Sequence, residues 1–318
     1  MIYDAIQAIL MVIIIIAIGY FVAHKGWGGE SVTSFISKLI VNITLPCTAI
    51  TAFVNNFTAE TISDAWTYIL ASFAAIAIAF VISKLFIKIG KIDKTQRGVF
   101  TALFAFSNSV YVGLPIATAI FGEPAIVFAL FYYVANTTFA NSIGYVGIAR
   151  DGMERACLSK NCFGPKDVVK KILQPPMIAV VLGFVLVMCN IKLPDFLHSA
   201  LSYTGNITSP LALIFVGMIL QRTGLSCLKQ MDKKMSLALV GRFVISPLAM
   251  LLMAFCFGLA DLPTQVLVIQ TGLPAMVGTA IFAEVLGADT SFAAKGVVVT
   301  TLFSFVTVPL YVLLMTGV

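Results

Sequence analysis

The chain has 318 residues, 60% hydrophobic and only 11% charged, against roughly 45–50% and 25% for an ordinary soluble domain, so a water-soluble globule is excluded. Its net charge is +6. The six cysteines have no CxxC spacing, and the two histidines and scattered acids form no HExxH, GxSxG or Walker loop. A zinc site, a disulfide framework, a nucleophile-elbow hydrolase and a P-loop ATPase are therefore not suggested, and no cofactor is expected.

Apolar runs of about 20 residues recur from end to end, the length that crosses a bilayer. The first, 5–23, follows Asp4 rather than a basic stretch and has no small-residue cleavage site, which reads as a span and not a signal peptide. Hydropathy places further spans near 33–54, 66–88, 98–121, 125–148, 172–190, 197–221, 236–258, 264–286 and 292–316. The expectation is an all-α membrane protein of ten transmembrane helices. With both termini outside, 17 of the 20 basic residues fall on the cytoplasmic side, as the retention of Lys and Arg requires. The positive charge is then a matter of topology and anionic inner-leaflet lipid rather than of nucleic acid.

The polar stretch 151–171 reads as a cytoplasmic linker between residues 1–150 and 172–318, five spans each. Two five-span halves enter the membrane from opposite sides, so the expected plan is a pair of inverted repeats, common among secondary transporters. Short words recur in step. Asn42-Ile43-Thr44-Leu45-Pro46 in span two matches Asn206-Ile207-Thr208-Ser209-Pro210 in span seven. Gly113-Leu114-Pro115 with Thr118-Ala119-Ile120-Phe121 in span four matches Gly272-Leu273-Pro274 with Thr279-Ala280-Ile281-Phe282 in span nine.

Proline inside a helix removes a hydrogen bond and clashes with the preceding turn, at about 3 kcal/mol. Freed backbone groups survive at membrane depth only beside protein or a wet cavity, so matched interruptions point to a binding site. Span four is interrupted at Ser107-Asn108-Ser109 and Gly113-Leu114-Pro115, span nine at Gln270-Thr271-Gly272-Leu273-Pro274. Each break predicts a half-helix whose N-terminus carries roughly +0.5 of a charge and unbonded N–H groups, and two such ends crossing make an anion site. Asn108 is the first candidate ligand. Thr48 beside Pro46, Asn136 and Asn141 in span five, and Thr208 beside Pro210 are either further ligands or inter-helix glue. Arg242, a few residues inside from Lys234, is expected to snorkel to the inner surface, and Glu284 and Lys295 belong near cytoplasmic helix ends. No central carboxylate offers a proton relay.

The stretches SNSVYVGLPIATAIFG (107–122) and TGLPAMVGTAIFAEVLG (271–287), with the Asn and Pro of span two and the short central loop, resemble the auxin efflux carrier family of plant auxin exporters and bacterial malonate and malate carriers. The resemblance covers essentially the whole chain. It implies a scaffold subdomain (spans 1, 2, 6 and 7) and a transport subdomain (spans 3–5 and 8–10). Broken spans four and nine would cross as in bile-acid symporters and NhaA-type antiporters. It places substrate against Asn108 with Ser107, Ser109 and Pro115, against Pro274 with Thr271 and Ala275, against Pro46, Thr48 and Ala49, and against Asn136. Ser107 stands where plant members have proline, span three carries no charged support pair, and the long plant loop is missing; a bacterial inner-membrane carrier fits better.

The implied function is elevator-type transport of a small organic anion, malonate- or malate-like or auxin-like, coupled to Na+ or H+ or uncoupled. The alternatives are a Na+-coupled bile-acid-type symporter or cation exchanger and, from another class, a membrane receptor. An enzyme is not expected. The partners would be the anion, membrane lipid and, through small-residue faces of spans one, two or seven, a second copy in a homodimer.

Overall fold

The computed structural model describes residues 2–56, 58, 65–156, 175–223 and 231–316. Among these the regular structure is helical, and the one β feature is an isolated antiparallel bridge between Ser107 and Ala275. In chain order the helices are α1 (Ile2–His24), α2 (Glu30–Leu39), α3 (Leu45–Asn56), α4 (Ala65–Ile89), α5 (Arg97–Ala105), α6 (Leu114–Phe121), α7 (Pro124–Phe139) and α8 (Tyr145–Arg155). They continue as α9 (Pro175–Met188), α10 (Asp195–Asn206), α11 (Thr208–Thr223), α12 (Lys233–Val240), α13 (Ser246–Phe257), α14 (Asp261–Thr271), α15 (Gly278–Val285) and α16 (Thr290–Thr316).

Four π-helical turns, Ile40–Thr44, Ser109–Gly113, Ala140–Gly144 and Gly241–Ile245, join α2 to α3, lead into α6, join α7 to α8 and join α12 to α13. Three of them end two residues before a proline, at Pro46, Pro115 and Pro247. Proline has no N–H to give and crowds the carbonyl four residues back, and a widened turn relieves both.

The structure corrects the span count. Six helices among the described residues are long and apolar enough to cross a membrane: Ser31–Asn55, Ala65–Ile89, Pro124–Arg155, Asp195–Arg222, Lys233–Phe257 and Thr290–Met315. Ile13–His24, Ser109–Phe121 and Pro175–Met188 are shorter apolar helices. The ten-helix plan of two inverted five-helix repeats, with a fourth and a ninth transmembrane helix crossing in bile-acid-symporter or NhaA fashion, is therefore not the architecture found. Hydropathy counts apolar residues, whereas crossing requires unbroken rise. The 14 residues of α9 rise only about 21 Å against a hydrocarbon core of about 30 Å. The stretches 98–121 and 264–286 are each split, by 106–108 and by 272–277.

Membrane embedding shows in what the long helices expose. On α4, Leu70, Val81 and Leu85 face outward while Ala71, Ala75 and Ala79 are buried, and this small-residue side packs on α7 and α13. Phe255 of α13 is 86% exposed, a side chain that lipid accommodates and water does not. Between α1 and α11 the approach is closer still: a Cβ on Gly19 would collide with the Ile214 carbonyl, and one on Gly217 with that of Ile16. Small residues let two membrane helices meet backbone to backbone. These faces of the first and seventh expected spans are thus consumed within one chain. The expected linker 151–171 lies mostly outside the described residues, but its first part is the end of α8, where buried Asp151 accepts hydrogen bonds from the Gly98 and Val99 amides at the start of α5 (2.9 and 2.8 Å).

Candidate functional site

The two interruptions meet. The Asn108 N–H donates to the Pro274 carbonyl (2.8 Å) and the Met276 N–H to the Phe106 carbonyl (3.1 Å), which makes the antiparallel bridge at Ser107 and Ala275. Four short helical pieces, α5 and the Ser109–Phe121 helix on one side and α14 and α15 on the other, end or begin at this bridge. Each break satisfies part of the other's backbone, which hydrocarbon would leave bare.

Side chains meet further backbone groups of the breaks. Asn136 of α7 reads Ser107 both ways: its Oδ1 accepts from the Ser107 N–H (3.1 Å) and its Nδ2 donates to the Ser107 carbonyl (2.9 Å), with a longer contact to Ser109 Oγ (3.4 Å). Ser107 Oγ donates to the Tyr132 hydroxyl (3.0 Å). On the other side the Ala275 N–H donates to Thr300 Oγ1 in α16 (3.0 Å). Gln270 Nε2 donates to the Gly113 carbonyl (2.9 Å), and a Cβ on residue 113 would occupy the place of Gln270 Oε1.

A cavity of about 200 Å³ opens against the bridge. Ser107, Asn108, Ser109, Val110 and Tyr111 form one wall, α7 contributes Tyr133, Asn136 and Thr137, and α15 contributes Gly278, Ile281 and Phe282. Ser37, Val41 and Leu45 close it from α2 and the turn after it, and Tyr111 shares a hydrogen bond with Ser37 (3.2 Å). Among the described residues no charged side chain lines it. The helix Ser109–Phe121 begins at the cavity, and so does α15 with Gly278.

Asn108 is 1% exposed, and its Oδ1 accepts from the Tyr111 N–H (3.3 Å). A backbone N–H demands the oxygen, so the amide orientation is set. Among the described residues its Nδ2 has no hydrogen-bond partner. An unpaired buried donor costs about 1–3 kcal/mol. At the mouth of two helix N-termini such a donor suits an acceptor that arrives from outside, above all a carboxylate.

Of the residues expected at the site, Ser107, Asn108, Ser109, Asn136 and Asn141 line this cavity, and the others lie outside its lining. Pro274 and Ala275 are buried in the bridge behind it. Thr271 turns its hydroxyl back to the Val268 carbonyl (2.7 Å), and Pro115 is buried in the first turn of α6. Pro46, Thr48 and Ala49 follow Leu45, which does line the cavity. Thr48 spends its hydroxyl on the Thr44 and Gly205 carbonyls and on Thr208 Oγ1 (2.8 Å), so the residue two past the first Asn-Ile-Thr-x-Pro word makes a helix-packing contact with the threonine of the second. Ser37, Tyr111 and the α15 wall were not expected; the signal for α15 lay in the Thr279-Ala280-Ile281-Phe282 word just past the break.

Arg242 departs from expectation. It does not snorkel to a surface: it is fully buried, and its Nη2 donates to the Thr271 carbonyl (2.6 Å) at the end of α14. The basic loop 93–97 is held separately, with Lys234 on Asp93 and Gln96, and Gln96 on Asp289.

Comparison with known proteins bears on what such a site serves. A family model described as membrane transport protein matches residues 4–312. The chain is similar to an uncharacterized transporter of Methanocaldococcus jannaschii, 24% identical over 311 residues that cover 96% of this chain and 97% of that protein. It is similar also to an uncharacterized transporter of Methanothermobacter thermautotrophicus, 22% identical over 305 residues, 96% of either chain.

Proposed function

The chain belongs to the membrane transport protein family, of auxin efflux carrier type, and from that membership we propose that it carries a small organic anion through the cavity at the paired breaks. The protein is an integral membrane transporter; family members transport solutes and are not enzymes. The observation that carries the proposal is Asn108 Nδ2, a buried donor without a partner beside two helix N-termini, in a cavity with no charged lining residue.

Size and polarity narrow the cargo. A cavity of about 200 Å³ is below the roughly 300–1,000 Å³ of drug-sized sites and suits an acid of three or four carbons, such as malonate or malate, better than an indole. Asn108 and the amides of the two helix starts would hold a carboxylate, while Ile281, Phe282 and Leu45 would cover the carbon chain. A cation exchanger would call for carboxylates in this wall, and none lines it.

Movement follows from which elements line the cavity. Ser37, Val41 and Leu45 come from the group α1 to α3 with α9 to α11, and the rest from α4 to α8 with α12 to α16. In the proposed mechanism the first group is the scaffold and the second slides past it with the anion, an elevator-type exchange of access. The same reading puts the protein in a cell's inner membrane with the Lys84 to Arg97 face toward the cytoplasm and both termini outside.

Uptake of labelled malonate, malate and indole-3-acetate into proteoliposomes, with and without Na+ or pH gradients, tests the proposal. Accumulation or exchange of at least one acid is expected, the dicarboxylates ahead of the indole. Absence of flux for every acid overturns it, and tight binding without flux identifies a receptor instead.

A further inference from the structure

The paired breaks lie next to a fixed positive charge that the cavity reading does not use. Arg242, in the turn Gly241–Ile245, is fully buried and bonded through Nη2 to the last carbonyl of α14; the Tyr132 and Tyr311 phenols are its other polar neighbours, and among the described residues Nε and Nη1 make no hydrogen bond within 3.5 Å. Among the described residues no carboxylate forms an ion pair with it. A guanidinium keeps its proton at every accessible pH, so this is a permanent elementary charge in a lipid-embedded interior, where an unpaired ion is costly. The C-terminal end of α14 offers about half a negative charge in return, which leaves the rest uncompensated. A polar chain connects the guanidinium to the cavity: the Tyr132 phenol interacts with Arg242 and accepts from Ser107 Oγ, and Ser107 lines the cavity.

We propose that Arg242 is the resident counter-charge of the transported anion. It sets the preference for an acid over its neutral isostere, and it makes a co-bound Na+ dispensable. An arriving carboxylate completes the compensation that α14 only begins, and the loaded cavity needs no second cation. Arg242 acts through Tyr132 and Ser107 and does not touch the cargo; it is a positioning and selectivity residue. This inference rests on the anion reading above, and the experiment separates the two.

Binding of malonate, malate and indole-3-acetate, each against its neutral amide, is measured by titration on the purified full chain in NaCl and in N-methyl-D-glucamine chloride. The wild type is expected to prefer at least one acid over its amide and to bind it equally well in both salts. Arg242→Gln is expected to lose on the order of tenfold of that preference, the effect of one elementary charge acting across a few side chains. Arg242→Lys is expected to keep it. A merely structural arginine would lower the thermal stability of both variants without separating Lys from Gln in acid-over-amide preference. Retained preference in Arg242→Gln overturns the inference while the anion reading stands. If the Gln variant does not fold, the wild type decides alone: affinity that collapses without Na+ overturns the inference, and affinity indifferent to Na+ supports it. A wild type that binds no acid overturns both.

Discussion

The two interruptions are built from opposite materials. The first, Ser107-Asn108-Ser109, is a run of polar side chains in which Asn136 satisfies the Ser107 backbone while the Asn108 backbone bonds to Pro274, Val112 and Gly113, and among the described residues it keeps one amide donor without a partner. The second, Leu273-Pro274-Ala275, has no polar side chain and depends on its partner break and on Thr300. Their difference separates two tasks. The first break lines the cavity through all three of its residues and, in the proposed reading, does the recognising; the second reaches the cavity only through Met276 and brings the C-terminus of α14 to Arg242.

Substitution can break that division of labour. The largest effect is expected from Asn136→Ala, which strands both the N–H and the carbonyl of Ser107; at about 1–3 kcal/mol per unpaired buried group the loss is about 2–6 kcal/mol. Thermal unfolding in detergent measures it, and a stability within about 1 kcal/mol of wild type would mean that the first break is held by something else. Asn108→Ala comes next and acts on the ligand. Losing a hydrogen bond to a charged group, about 1.5–3 kcal/mol, weakens acid binding by about 10- to 150-fold, with only about 1 kcal/mol of stability lost from the Tyr111 cap. Equal affinities in titration would take Asn108 out of the site.

Thr300→Val tests the second break. It removes the acceptor for the Ala275 N–H and should cost about 1–2 kcal/mol of stability with acid affinity little changed; the reverse pattern would show that both breaks recognise cargo. The smallest effect lies away from both, at Asp93. The hydrogen bond from Lys234, and then its charge, holds this exposed carboxyl below the ordinary carboxylate range. A lowered value contributes stability above the ordinary pKa of about 3.9 and loses it as pH falls through the lowered one. The melting temperature of wild type should therefore fall slightly more steeply than that of Asp93→Asn below pH 4, by an amount that salt reduces. Parallel curves would show that the pair contributes nothing.

Much of the first break was legible in the sequence, because polar residues, glycine and proline inside an apolar run have few explanations in lipid. Its supports were only half legible. Asn136 stood out as polar in an apolar span, but that its amide would close on the Ser107 backbone depends on α7 packing against the break, 29 residues away. Thr48 carried the same compositional signal as Asn108 and turned out to join α3 to α11. Arg242 was misread for a related reason. Counting from Lys234 gives its depth along one helix, whereas its partner, Thr271, belongs to another. The span count failed because apolar length and unbroken helical length are different quantities, and they part at 106–108 and 272–277.

The most direct test of the central claim is a cryo-EM structure in lipid nanodiscs with the best-binding acid at saturation. Density for a carboxylate within hydrogen-bond distance of Asn108 Nδ2, between the start of the Ser109–Phe121 helix and Gly278, is the predicted result. Density bound only elsewhere, such as among Lys88, Lys91 and Arg97 on the basic face, with the Asn108 cavity closed or occupied by lipid, would contradict it.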